Sequence, residues 1–339
     1  MSPLPRLALI GAGLIGAEVH LPRLVNRTDV EVAVIIDADR ERARLIAQQH
    51  GVKHFSDDLD AVLADDQINI VDLCTPPTLH RSQVEASVRA GKDVILEKPL
   101  ATTLSDAEHV ARIVAAAPER TVMVAENWVY SSAGRALHAL VTDGSLGDVE
   151  VWESRHESDH RLPSGGQPAW NYDLEASGGG YLMQAGTHAV SLGRRLFGEM
   201  AWVAATSPQA TGDGGPFLDH DMVVSLGFRS GVVGSLVLSG RSRRPGSRVL
   251  SQTLIGTNAT VDADILTGEL TIGGASAPSV GPISMGFDEE FDHFFASRRA
   301  GTPPVTSAAD QVETLRTVAA IYQSAACATR VDVEGITAS

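Results

Sequence analysis

The stretch that most limits what this chain can fold into is Leu7-Ala8-Leu9-Ile10 followed by Gly11-Ala12-Gly13-Leu14-Ile15-Gly16. A short apolar run without polar alternation suits a strand buried on both faces. The G-x-G-x-x-G spacing after it has a physical meaning. Gly11 permits the tight turn, Gly13 lets backbone approach a pyrophosphate, and Gly16 lets helix and strand pack closely. Leu14 and Ile15 lie in the same turn, and the following helix aims its first N–H groups at the phosphates. A second apolar run, Val30 to Ile36, ends in Asp37. That is about twenty residues past Gly16, where an acid holds the adenosine ribose hydroxyls. Strand, glycine turn, helix, strand and acid together predict a dinucleotide site. An acid there favours NAD, because it repels a 2′-phosphate; Arg40 and Arg42 close by keep NADP open.

The pattern then repeats. Helices are expected over Asp39 to His50, Leu59 to Ala64, Thr78 to Ala90 and Ser105 to Ala117. Strands are expected over Ile68 to Cys74, Val94 to Leu96 and Val122 to Ala125. Such alternation with short connections makes a doubly wound parallel sheet of Rossmann type, a nucleotide domain over residues 1–125. Ligands bind beyond the carboxyl ends of its strands. Thr75, Pro76, His80, Glu97 and Lys98 are therefore assigned to the cofactor side. Pro76 and Pro77 would look the same as simple strand breakers.

Composition narrows the rest. A chain of 339 residues suggests about two domains. With 43% apolar and 20% charged residues it reads as an ordinary globular protein. The net charge of −15 argues against nucleic acid or an anionic membrane as partner. Two cysteines far apart, Cys74 and Cys327, read as structural thiols rather than a disulfide framework or a zinc site. Met1 to Arg6 does not read as a signal peptide, and no apolar run nears the roughly 20 residues of a membrane span. A cytoplasmic enzyme or binding protein acting on a small molecule is the expectation, with no metal.

From Glu126 to the last residue the character changes, and residues 126–339 are expected to form a second, α+β domain. Asp148 to Arg155, Met222 to Phe228, Val232 to Leu238, Arg248 to Ile255, Ala259 to Ala263 and Glu269 to Ile272 alternate like half-buried strands. Joined by Gly, Ser and Asn turns, they predict a large, mostly antiparallel sheet. Helices are expected over Ser132 to Leu140, Gly186 to Phe197, Asp288 to Arg299 and Ser307 to Thr329, the last folding back on the first domain. Trp128, Tyr130, Trp152, Trp170 and Tyr172 crowd a short span with Arg155, His156, His160, Arg161 and Asn171 among them. Flat rings beside polar donors suit a sugar ring. Trp152 is read as core, Trp170 and Tyr172 as pocket residues, and Arg155 and Tyr130 as further substrate contacts. His156 and His160 lack a third ligand for a metal.

Glu97-Lys98-Pro99 after a strand resembles the glucose–fructose oxidoreductase/inositol dehydrogenase/MocA (Gfo/Idh/MocA) family. So do Ala125-Glu126-Asn127, Tyr130-Ser131, Gly178 to His188 and Pro304 to Asp310. The resemblance implies a Rossmann domain followed by an α+β domain with a large open sheet. It also implies nicotinamide-dependent oxidation or reduction of sugars, polyols and related molecules. It maps catalysis onto Lys98 and His188, a cofactor contact onto Asn127, and a homodimer or homotetramer onto the sheet face. One position departs. Many members carry an aspartate four residues before the histidine, where this chain has Gln184. Glutamine hydrogen-bonds but cannot take or hold a charge.

The resulting expectation has three catalytic residues. His188 takes the hydroxyl proton of a secondary alcohol. Lys98 stabilises the developing alkoxide. Gln184 positions the substrate or His188. Two readings of other classes stay open: an NAD-dependent glycosidase on the same scaffold, and a nicotinamide-binding sensor without turnover.

Overall fold

Six short strands pair in parallel: β1 (Arg6–Ile10), β2 (Glu31–Ile36), β3 (His54–Ser56), β4 (Ile70–Leu73), β5 (Asp93–Glu97) and β6 (Val122–Ala125). Their order is β3-β2-β1-β4-β5-β6. β4, β5 and β6 are buried throughout, as apolar strands with helices on both faces must be. The order reverses between β1 and β4, and that reversal opens the crevice where such sheets take ligands. The computed structural model describes residues 4–159, 169–212, 214–242, 248–277 and 282–338. These fall into two units.

The first unit holds Met1–Ala101, Asp106–Ala125 and Glu290–Asp310. Local chemistry sets its helix ends. Asp39 accepts from the N–H groups of Glu41 and Arg42 to start Arg40–His50, and Gly51, at φ 72°, closes it. The segment that returns to this unit is Glu290–Asp310. There Val124 N–H donates to Thr306 O at 2.9 Å, and Thr306 Oγ1 to Val124 O at 2.7 Å, along the edge of β6. The final helix, Ala308–Cys327, belongs mostly to the second unit.

The second unit holds Thr102–Ser105, Glu126–Glu289 and Gln311–Ser339. Its sheet has nine strands in the order β14-β13-β12-β11-β7-β10-β9-β8-β15. They are β7 (Val149–Glu157), β8 (Met200–Thr206), β9 (Asp221–Phe228), β10 (Val233–Ser239), β11 (Val249–Gly256), β12 (Thr260–Asp264), β13 (Leu270–Ile272), β14 (Ala275–Ala277) and β15 (Val331–Asp332). All neighbours are antiparallel except β7 and β10, which pair in parallel. Trp152, Ser154 and His156 of β7 point to the buried face, Glu153 and Arg155 to the exposed one. Trp152 is wholly buried and donates from Nε1 to Gln252 Oε1 at 2.9 Å. Helix Thr187–Phe197 lies on this ring through Gly193, where a Cβ would stand 2.8 Å from the indole. Among the described residues no helix is long and apolar enough to cross a membrane. Both cysteines are free; Cys327 is exposed, which departs from its reading as a buried thiol.

Candidate active site

The glycine turn is built from the first unit alone. Gly11 has φ 97°, and a Cβ there would stand 2.5 Å from Cys74 O. Gly16 abuts the Gly11 carbonyl so closely that no side chain fits. Gly13 has nothing within 4 Å of its would-be Cβ. Two glycines thus serve packing and the third faces open space, as a cradle for phosphates requires. Leu14 and Ile15 beside it are exposed. Asp37 is buried. Its Oδ2 accepts from Ala12 N–H at 2.9 Å, and its Oδ1 from Asp39 N–H at 2.8 Å and Arg42 Nη2 at 3.0 Å. The carboxylate therefore ties the turn to the end of β2. A turn open at Gly13 beside a held carboxylate fits a dinucleotide. Gly11, Gly13, Leu14, Ile15, Gly16 and Asp37 would hold it.

Thr75, Pro76 and Lys98 stand beyond the carboxyl ends of β4 and β5, and Glu97 is the last residue of β5. Lys98 is half-buried, its bond to Pro99 is cis, and its N–H donates to Glu97 Oε2 at 3.0 Å. Thr75 Oγ1 bonds Gln83 Oε1 at 2.5 Å. His80 is wholly buried, with Nδ1 2.8 Å from Pro99 O and Nε2 3.0 Å from Thr75 O. Burial pushes its pKa down, and the ring braces the two strand-end loops.

In the second unit His188 stands at the start of helix Thr187–Phe197. Its Nδ1 bonds the carboxylate of Glu126, whose side chain is fully buried. Its ring stacks on Trp128, with centroids 5.3 Å apart and planes 13° apart. Trp128 meets His156 at 5.1 Å on its course, and His156 meets Tyr181 edge-on at 5.3 Å. A carboxylate on Nδ1 fixes the tautomer, aims Nε2 away from the pair, and stabilises the imidazolium formed on proton uptake. This is a histidine–carboxylate pair of a kind that Gln184 cannot make. Gln184 instead donates from Nε2 to Asn171 O at 2.6 Å.

Asn171, Tyr172, Tyr181, Gln184, Asp219 and His220 line one concavity with Gly180 and Leu218. The structure thus brings Tyr172 and Gln184 together, two of the residues assigned to the substrate. Trp170 precedes them in the turn Ala169–Tyr172, half-buried. Arg155 is not brought to this place. Its side chain leaves β7 on the face opposite His156 and pairs with Glu157; the period of two that makes a strand turns adjacent residues apart. Tyr130 is buried in the turn Asn127–Tyr130, and Asn127 Nδ2 donates to Met285 O at 2.8 Å. His160 and Arg161 lie outside the described residues.

Residues 5–126 match the model of the oxidoreductase family with an NAD-binding Rossmann fold, and residues 135–262 match the GFO/IDH/MocA C-terminal domain. The chain belongs to the Gfo/Idh/MocA oxidoreductase family. Among its relatives, the D-apiose dehydrogenase of Paraburkholderia graminis is 28% identical over 338 residues, covering 94% of this chain and 87% of the relative. The 4-carboxy-2-hydroxymuconate-6-semialdehyde dehydrogenase of a Sphingobium species is 31% identical over 244 residues, 69% of this chain and 71% of the relative. A solved structure, GenD2 from gentamicin A biosynthesis in complex with NAD, superposes with a TM-score of 0.84 at 26% identity, over 98% of this chain and 97% of that one.

As a member of the Gfo/Idh/MocA family the chain is an NAD(P)-dependent oxidoreductase, a dehydrogenase or reductase. Sequence reasoning passed over Glu126 as a working residue. The missing charge at position 184 was the signal, because a carboxylate partner for His188 could then come only from elsewhere in the chain. His20 and Asp72 were missed as well. The signal there was an aspartate inside the apolar run Ile70-Val71-Asp72-Leu73, since a carboxylate buried in a strand must be paired.

Proposed function

We propose that this chain interconverts a secondary alcohol and its ketone on a neutral sugar, polyol or related ring compound, with NAD preferred over NADP. The Glu126–His188 pair carries this reading. In the oxidative direction His188 Nε2 takes the hydroxyl proton, and Glu126 holds the ring in place and balances its charge. The Lys98 ammonium stabilises negative charge developing on the substrate oxygen. Bound nicotinamide supplies the hydride chemistry. Gln184 and Asn171 offer amide groups to ring hydroxyls, and Tyr172 offers a flat apolar face. The described residues lining the concavity offer amide, hydroxyl, carboxylate and imidazole groups, which suits a hydroxyl-rich substrate. The relatives named as D-apiose and semialdehyde dehydrogenases support oxidation or reduction at an oxygen-bearing carbon as the common ground. Asp37 supports NAD, because its carboxylate opposes a 2′-phosphate and engages Arg42.

The test is a panel of aldoses, polyols and anhydrosugars offered with NAD and with NADP, read by reduced-cofactor absorbance. Turnover of at least one neutral member, lost in Lys98→Met and His188→Asn while NADH binding persists, is expected. Sugar release without net cofactor reduction would point to a glycosidase. Tight NADH binding without any turnover would leave a sensor.

A further inference from the structure

A buried histidine stands directly behind Lys98. His20 ends the wide turn Gly16–His20 and is wholly buried, as is Asp72 in the middle of β4. Its Nδ1 lies 3.0 and 3.1 Å from the two Asp72 oxygens, and its Nε2 lies 3.2 Å from Glu97 Oε1 at the end of β5. The other Glu97 oxygen accepts the N–H of Lys98 at 3.0 Å. Phe291 packs edge-on against the ring, with centroids 5.1 Å apart at 87°.

A neutral imidazole has one N–H to give, whereas this ring faces a carboxylate at each nitrogen. The arrangement is met by an imidazolium that donates both ways. Burial works against that charge, but the Asp72 carboxylate outweighs it and holds the ring well above its ordinary pKa. The charged and titratable groups around the ring are Asp72 from β4, Cys74 just past its end and Glu97 from β5; His80 in turn faces Glu97. The same atoms do not suit a metal. Burial and Asp72 push the Cys74 thiol up to about 12, and both ring nitrogens are committed to carboxylates.

We propose that His20 is a positioning residue for Lys98: bonded to Asp72 and Glu97 at once, it fixes Glu97 so that this carboxylate holds the lysine's backbone N–H. The inference rests on the reading of Lys98 as the group that stabilises the substrate oxygen. It makes a second contribution through charge. Two carboxylates stand behind Lys98 with one buried cation between them, so the potential at the ammonium depends on His20 being present.

The experiment compares wild type, His20→Gln and Asp72→Asn with NADH bound and with a substrate found in the panel. Gln at position 20 keeps a donor toward Glu97 but no charge. The expected result is an NADH Kd within about threefold of wild type and a kcat about tenfold lower at nearly constant substrate KM. The basic limb of kcat against pH should move to higher pH, because loss of the buried cation makes its surroundings more negative. Asp72→Asn should lower kcat in the same direction by a smaller factor. Nitrogen-15 spectra of wild type should show one histidine ring doubly protonated above pH 8 and absent from His20→Gln; if that variant does not fold, Asp72→Asn identifies the same signal by its shift. Unchanged kcat and an unmoved basic limb in a folded His20→Gln, whatever its melting temperature, would overturn the proposal. So would a singly protonated His20 ring at pH 7. Lys98→Met separates the two ideas: activity retained there sinks the reading of Lys98 itself, whereas a dead Lys98→Met beside a normal His20→Gln sinks only the role of His20.

Discussion

Glu126 and His188, 62 residues apart in sequence, share a hydrogen bond between a fully buried carboxylate and a ring Nδ1. The pair supplies the negative partner that position 184 lacks. Glu126→Gln keeps the shape and can accept a hydrogen bond, but it cannot balance an imidazolium. Initial rates should fall roughly 10²-fold in kcat with a much smaller change in NADH affinity. Equal loss of both would mean that the side chain only holds the fold.

The glycines of the phosphate turn should separate into two kinds. Gly11→Ala puts a Cβ against Cys74 O at a φ of 97°, so it should lose about 1 kcal/mol or more and melt several degrees lower. Gly13→Ala meets no protein atom within 4 Å. It should melt like wild type and still bind NADH about tenfold more weakly, since only the bound pyrophosphate comes that close. Calorimetry and fluorescence titration together check the contrast.

Cofactor choice should turn on Asp37. Asp37→Ser removes the carboxylate that faces the ribose side and releases Arg42 from its 3.0 Å ion pair. Because Ala12 N–H also loses its acceptor, both cofactors should bind less well. The ratio of kcat/KM for NAD to that for NADP should nevertheless drop by about tenfold or more. An unchanged ratio would remove Asp37 as the discriminator.

Asp219 gives a pH signature. Burial pushes its pKa up to about 6, although it accepts from Tyr322 Oη at 2.7 Å and from Leu182 N–H at 2.8 Å. Its ordinary value is 3.8, so between about pH 4 and 6 the native state binds a proton that the unfolded state has lost. The contribution of this group to stability therefore falls as pH rises through that window. Asp219→Asn, which cannot ionise, should cost on the order of 2 kcal/mol more at pH 4.5 than at pH 7 by urea unfolding. An equal cost at the two pH values would show that Asp219 ionises normally.

Much of the fold was legible because β1, β2, β4, β5 and β6 are short apolar runs separated by helices with clear caps, such as Asp39 and Gly51. β8 was not read: Ala201, Ala204 and Ala205 blunt its alternation, and both of its faces are partly covered. β3, β14 and β15 are too short to show a period, and the parallel seam between β7 and β10 depends on long-range pairing that spacing cannot encode. At the candidate site, motif spacing pointed to Gly11, Gly13, Gly16, Asp37, Lys98 and His188. It could not carry Glu126 or His20, because their meaning comes from partners far away in the chain: His188 for one, Asp72 and Glu97 for the other. Arg155 stands on the exposed face of β7, which spacing along the chain does not reveal.

Along β7, heredity can edit two surfaces independently. Trp152, Ser154 and His156 answer to the buried rings and to helix Thr187–Phe197, whereas Glu153 and Arg155 answer only to what the open face meets. A lineage can therefore recharge or resurface that face, acquiring or losing neighbours there, through single-codon steps that leave the stacked rings of Trp128, His156 and His188 untouched.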